Sequence, residues 1–170
     1  MAIWDTADEL NHPLDFLLFQ NGFIKLFRRQ EVPKEAISWL RNHSYKVVQV
    51  DSAAWQSQAD LHRDIAQVLD FPEYYGSNLD ALNDCLSDVA VQSYGWVAAD
   101  TGLVLVLDGY ETFAGKDGVT AHLLLDIFAK QATCAALFGH RMMCLVRTED
   151  SELQIPPVGG LPVSCNHREF

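Results

Sequence analysis

Three aspartates recur at intervals of four residues in the middle of the chain. Asp80, Asp84 and Asp88 have the spacing that aligns side chains along one side of an α-helix. Like charges at this spacing weaken a helix slightly, and no Lys or Arg lies between them. A carboxylate ridge can bind a basic protein surface or a divalent metal ion. It can also be a solvated face that keeps the protein soluble.

The acidic residues of the chain are concentrated around this ridge. The 170 residues carry a formal net charge of −11. From Asp60 to Asp88, seven acidic residues oppose Arg63 alone, which leaves a local balance of −6. Because such a chain is repelled by a phosphate backbone, the charge argues against a nucleic-acid partner and favours a basic protein.

A loop containing two tyrosines precedes the ridge. Tyr74, Tyr75 and Gly76 follow Pro72, which ends the preceding helix. Tyrosine is enriched among the residues that dominate binding energy at protein interfaces. Ser77 and Asp80 have the spacing of a helix capping box, so we expect the acidic helix to begin near Ser77.

The elements that must position this surface alternate between strands and helices. Short β-branched or apolar runs predict strands, and amphipathic segments between them predict helices. This order predicts the α/β class, with a parallel sheet covered by helices in two or three layers. The predicted strands are Lys46–Val50, Leu103–Leu107 and Met142–Val146, and the predicted helices are Ser57–Leu69, Ser77–Val91 and Gly118–Ala132.

The two ends of the chain have different patterns. Apolar runs at Leu14–Phe19 and Phe23–Phe27 flank Asn21-Gly22, which predicts a β-hairpin, and Pro33–His43 predicts a helix. We therefore expect a hairpin-helix extension over residues 1–45, a central domain over residues 46–150 and a Pro/Gly-containing tail over residues 151–170. The extension is either an extra edge of the sheet or a separate appendage.

The segment from residue 72 to residue 86 resembles the signature of the barstar family of ribonuclease inhibitors. The wider order of strands and helices matches from about Lys46 to Thr148. This resemblance implies a three-stranded parallel sheet packed by helices. It also implies an intracellular inhibitor, or immunity protein, that binds the active site of a small basic ribonuclease without a cofactor, a metal ion or catalytic residues. The matching residues are Pro72-Glu73-Tyr74-Tyr75-Gly76, Asn78-Leu79-Asp80-Ala81-Leu82 and Asp84-Cys85-Leu86.

The same resemblance implies roles for individual side chains. Tyr74 is similar to the aromatic that meets the enzyme's substrate cleft, and Asp80 and Asp84 to the carboxylates that face its basic catalytic residues. The chain departs from the family pattern at Asn83, where the family usually carries Trp, and at Ser87-Asp88-Val89, where a Gly-Trp pair usually occurs. The expected partner-binding residues are Tyr74, Tyr75, Gly76, Asn78, Asp80, Asn83, Asp84, Asp88 and Glu111, the last expected in the loop after the second central strand.

Two other functions are compatible with the residues. Asp80, Asp84, Asp108 and Glu111 could hold Mg²⁺ in an enzyme, but the sequence contains no glycine-rich phosphate loop and no hydrolase or zinc motif. The chain could also be an interaction module of the same fold whose partner is not a ribonuclease. The tyrosine loop and the acidic ridge favour the inhibitor.

Cysteine usage and the N-terminus predict a cytoplasmic protein. The four cysteines form no C-x-x-C pair, and the N-terminus carries acids where a secretory signal would carry basic residues. No apolar run approaches the length of a membrane span, so we expect no membrane association. The sequence indicates neither an oligomeric state nor the identity of the partner.

Overall fold

The computed structural model describes residue 7, residues 13–28 and residues 31–165. Within these residues, one sheet of five strands is covered by six helices and a 3₁₀ turn. The elements in chain order are α1 (Leu14–Phe19), β1 (Ile24–Phe27), α2 (Glu31–Asn42), β2 (Tyr45–Asp51), the 3₁₀ turn (Ser52–Ala54), α3 (Gln58–Val68), α4 (Leu79–Ala90), β3 (Gly102–Asp108), α5 (Tyr110–Lys116), α6 (Gly118–Leu137), β4 (Met142–Arg147) and β5 (Ser164–Cys165).

The sheet is parallel throughout, with the strand order β2-β3-β4-β1-β5. At its centre, Leu105 of β3 lies opposite Val48 of β2 and Cys144 of β4. Both faces of β3 are buried, which explains its continuous Leu/Val run. The mixed α/β class and the parallel sheet are confirmed, but the sheet has two more strands than the three that the family resemblance implies.

The predicted N-terminal hairpin is wrong. Leu14–Phe19 forms helix α1, and β1 pairs in parallel with β4, with Ile24 opposite Cys144. A six-residue apolar run is too short for periodicity to separate strand from helix. In the helix, the buried Asp15 carboxylate accepts a hydrogen bond from the Tyr45 hydroxyl at 2.6 Å and lies 3.3 Å from an Arg141 nitrogen. The sequence left open whether the N-terminal extension joins the sheet or forms a separate appendage. Because β1 pairs with β4, this strand is part of the sheet.

Helices cover both faces of the sheet. Val104 and Val106 of β3 pack on one face against α1 and α2, whereas Leu103 and Leu105 pack on the other against α3, α4 and α6. Successive side chains of a strand point to opposite faces, so β3 contributes side chains to both cores, as β4 also does. The acidic helix α4 therefore lies on the opposite face of the sheet from α2.

The tail is more ordered than its Pro and Gly content predicts. Val158 and Leu161 form an isolated bridge, and β5 places Ser164 opposite Lys25 of β1. Apart from this bridge, the Pro/Gly segment of residues 156–162 forms no helix or strand, Ser164 and Cys165 form β5, and residues 166–170 lie outside the described part. The division of the chain into domains at residues 45 and 150 stays a prediction.

The structure also describes the cysteines and the apolar character of the helices. All four cysteines are free thiols, with Cys85 and Cys144 buried. Burial raises the pKa of the Cys144 thiol well above its ordinary value. No helix in the described part of the chain combines the length and the apolar character needed to cross a membrane.

Candidate functional site

Helix α4 separates its apolar and acidic residues onto two sides. Its buried residues pack into the core beneath the sheet. On the other side, Asp80 and Asp84 are exposed and Asp88 is half-buried. The predicted carboxylate ridge is therefore present, and its first two members face solvent. The buried residues of the helix are Leu82, Cys85, Leu86, Val89 and Ala90.

Asn78 caps this helix, not Ser77. The Asn78 Oδ1 atom accepts a hydrogen bond from the Ala81 amide at 2.8 Å, and its Nδ2 atom donates to the Gly76 carbonyl at 3.2 Å. Ser77 has a φ of 51°, so it belongs to the turn before the helix, and the predicted capping box is wrong. Asp80 lies in the first turn, where the helix dipole favours a negative charge.

The two tyrosines of the loop point in different directions. Tyr74 exposes 81% of its surface. Tyr75 packs edge-on against Phe71, with ring centroids 4.9 Å apart, and its hydroxyl hydrogen-bonds to Nδ1 of the buried His62. Burial raises the pKa of Tyr75 and lowers the pKa of His62. Tyr75 therefore anchors the loop to α3, and Tyr74 is left free for contact.

The two exposed carboxylates of the ridge are not neutralised by any residue that the structure describes. Arg63, the one basic residue of the acidic segment, pairs with Asp60 at 2.6 Å and with Asp64 at 2.8 Å. Within the described residues, Asp80 and Asp84 form no ion pair. They consequently present unpaired negative charge at the surface.

Asn83 and Asp88 make contacts within the protein. The Asn83 Oδ1 atom accepts a hydrogen bond at 2.9 Å from the Gln131 side chain, which is buried on α6. Asp88 accepts a hydrogen bond at 3.2 Å from the Tyr94 hydroxyl, which also donates to the Cys85 carbonyl. These bonds fix the orientation of both side chains, so Asp88 is less available to a partner than Asp80 and Asp84.

A groove between α4 and α6 adjoins the ridge. It has a volume of about 490 Å³. The sequence did not predict the α6 side of this groove, because a contact between helices that are distant in the chain leaves no short motif. The available signal was the pair Asp126 and Lys130, one helical turn apart in a helix with no other Asp, Glu, Lys or Arg. The groove is lined by Leu79, Asp80, Asn83, Asp84, Leu123, Asp126, Ile127 and Lys130.

Glu111 lies in a different concavity. It is in the first turn of α5 rather than in a loop, and its Oε1 atom accepts a hydrogen bond from the Glu149 amide at 3.3 Å. This second concavity lies at the carboxyl edge of the sheet and contains Asp108, which pairs with Arg147 at 3.1 Å. Burial raises the pKa of Asp108.

The four carboxylates considered for Mg²⁺ are divided between the two concavities. Asp80 and Asp84 line the α4–α6 groove, and Asp108 and Glu111 line the second concavity. In the part of the chain that the structure describes, no three His, Cys, Asp or Glu side chains come together in a way that could hold a metal ion.

Fold and surface together define a class: a parallel α/β protein that presents a capped acidic helix beside an exposed tyrosine. Comparison with known families places it more narrowly. The family described as Barstar (barnase inhibitor) matches residues 45–147, and the chain belongs to this family.

Comparison with one curated protein agrees with this assignment. The chain is 45% identical over 70 residues to the "Putative ribonuclease inhibitor YrdF" of Bacillus subtilis (strain 168), a match that covers 39% of this chain and 67% of that protein. These matches support a barstar-like inhibitor and a non-catalytic role. A chain from the "Structure of Drosophila ORC bound to AT-rich DNA and Cdc6" is 14% identical with a TM-score of 0.47, over 87% of this chain and 54% of that one, which is too distant to support an argument.

Proposed function

We propose that this protein inhibits a small basic ribonuclease by covering its active site with α4 and the tyrosine loop. The observation that carries the proposal is the exposed Tyr74 in the loop that leads into α4, together with two exposed carboxylates of that helix, Asp80 and Asp84, that have no counter-charge among the described residues. Family membership and the ribonuclease-inhibitor name of the Bacillus subtilis relative support it.

The chemistry of RNA cleavage explains why carboxylates suit this task. A ribonuclease binds the phosphates of its substrate with Arg, Lys and His side chains. Asp84 would occupy a phosphate position and Asp80 would pair with a neighbouring cation, while Tyr74 would fill the cleft where a base stacks. RNA is then excluded because its site is occupied, and no covalent step is needed.

The surrounding residues keep this surface ready to bind. Asn78 fixes the start of α4, and the His62–Tyr75 bond fixes the loop. Since the unbound surface is already ordered, association loses less conformational freedom than ordering a flexible loop would. The free thiols are consistent with action in the cytoplasm, which we include in the proposal.

A second candidate is an interaction module of the same fold with a non-ribonuclease partner. Asn83 favours it, because a side chain held by Gln131 replaces the aromatic that the family usually presents at this position. The two candidates differ in whether the chain stops RNA cleavage.

Inhibition of a panel of purified small basic ribonucleases at low ionic strength separates them. We expect saturable inhibition of at least one enzyme, with one molecule of inhibitor for each molecule of enzyme. A protein that inhibits none of the panel would contradict the proposed function and favour the second candidate.

A further inference from the structure

The groove between α4 and α6 carries charges of both signs. Its apolar lining consists of Leu79 and of Leu123 and Ile127 of α6. Asp80 and Asp84 line the α4 side, and Lys130 lies on the α6 side. A partner that covers the exposed carboxylates of α4 would therefore extend over a lysine of the neighbouring helix.

The Lys130 ammonium is exposed and has no ion-pair partner in the described part of the chain. Asp126, one helical turn earlier, is already engaged. One of its oxygens accepts a hydrogen bond from the Gly159 amide at 2.8 Å, and the other lies 3.5 Å from Nε2 of His122. Lys130 thus brings an uncompensated positive charge to an otherwise acidic surface.

This charge constrains a basic partner. A cation facing Lys130 would add like-charge repulsion, and covering the ammonium with an apolar surface would desolvate it without compensation. A carboxylate facing Lys130 avoids both costs.

We propose that the α4–α6 groove is part of the partner interface and that a carboxylate of the ribonuclease meets Lys130 there. This inference rests on the proposed function and adds which basic ribonucleases the protein binds. The partner carries an Asp or Glu beside the cations of its active site. Lys130 selects for such enzymes and against basic ribonucleases with a cation at that place.

Reversing the charge of Lys130 distinguishes this inference from binding that depends on net charge alone. Lys130→Glu makes the protein more acidic, which on net charge alone would strengthen binding to a basic enzyme. The proposal predicts the opposite, a loss of at least about tenfold in affinity for the ribonuclease that the wild type inhibits, with a smaller loss in Lys130→Met. An unchanged or tighter complex with Lys130→Glu would overturn the inference.

The matched control is Lys34→Glu, which changes the net charge equally at an exposed position of α2 on the opposite face of the sheet. Its affinity should stay within about twofold of the wild type, and thermal unfolding checks that every variant is folded. If Asp84→Asn weakens binding but Lys130→Glu does not, the inference fails and the proposed function stands. If the wild type inhibits none of the ribonucleases tested, the proposed function fails and the inference fails with it.

Discussion

At the scale of single residues, two adjacent tyrosines have different environments. Tyr74 is exposed, whereas Tyr75 contacts Phe71 and His62. The backbone between Pro72 and Asn78 turns so that the ring of Tyr75 packs inward and the ring of Tyr74 stays outside. Sequence identifies both as partner-binding residues and does not distinguish them. In the structure Tyr74 is exposed and Tyr75 is packed against Phe71 and His62, so we propose partner contact for Tyr74 and an anchoring role for Tyr75.

This difference predicts separable effects of substitution. Tyr74→Ala should weaken ribonuclease binding by at least about 2 kcal/mol, roughly thirtyfold, because a large interface aromatic is removed. Its free energy of unfolding should stay close to that of the wild type, since little of the ring is buried. Tyr75→Phe should instead lower the free energy of unfolding by about 1 kcal/mol through loss of the His62 bond. Calorimetric titration and urea unfolding measure the two effects, and Tyr74→Ala with unchanged affinity would remove Tyr74 from the interface.

At the scale of elements, α3 supports the binding loop from below. His62 is 2% exposed, and its Nε2 atom has no hydrogen-bond partner among the described residues. A protonated imidazole would therefore be poorly solvated, which is why burial lowers the pKa of His62. The junction of α3 with the tyrosine loop should consequently be sensitive to acid.

The sign of this pH dependence follows from the two states. Unfolded His62 takes up a proton as the pH falls through about 6.5, while the folded state resists protonation. The free energy of unfolding should therefore decrease as the pH falls from about 7 to 5. In His62→Gln this decrease should be smaller, because one group that titrates differently in the two states is gone. Urea unfolding at several pH values measures both slopes, and equal slopes would show that His62 does not contribute.

Sequence predicts elements with a long, consistent period and fails where the pattern is short. The runs of β2, β3 and β4 and the amphipathic α4 were located to within a few residues. Residues 14–19 satisfied both a strand and a helix pattern, and burial of Asp15 against Tyr45 decided for the helix. Lys25 is 3% exposed and donates a hydrogen bond to the Ser164 hydroxyl at 2.8 Å. This bond stabilises the pairing between β1 and β5, which no local sequence pattern predicts.

The candidate site shows the same division. The exposure of Asp80 and Asp84 follows from the helix period, so it could be predicted, whereas loop composition did not tell the exposed Tyr74 from the packed Tyr75. The contact of Asn83 with Gln131 joins residues 48 positions apart, and it exists only once α4 and α6 have packed together. Whether Glu111 meets the partner stays a prediction, although its position in α5 is now known.

At the scale of the whole molecule, charge and fold act together. The net charge of −11 is not evenly distributed, and the sheet places the acidic helix on the opposite side from α1 and α2. A concentrated negative surface attracts a basic enzyme before contact and orients it towards α4. The same charge should repel RNA, so we expect that the protein does not itself bind the substrate of the proposed ribonuclease partner.

Long-range attraction predicts a strong dependence on ionic strength. The association rate with an inhibited ribonuclease should fall by at least about tenfold between low and high salt, because counter-ions screen the two surfaces. The dissociation rate should change much less, since close pairs are screened weakly. Stopped-flow mixing resolves the two rates, and an association rate independent of salt would argue against recognition led by charge.

In the proposed function, the exposed carboxylates of α4 block a ribonuclease active site. The most direct test is a titration of a ribonuclease that the wild type inhibits. The ribonuclease is titrated separately with the wild type, with the double variant Asp80→Ala/Asp84→Ala and with the single variant Glu35→Ala on α2. We expect stoichiometric inhibition by the wild type and by Glu35→Ala, and loss of inhibition at the same concentrations by the double variant in its folded state. A double variant that inhibits as strongly as the wild type would contradict the proposed function.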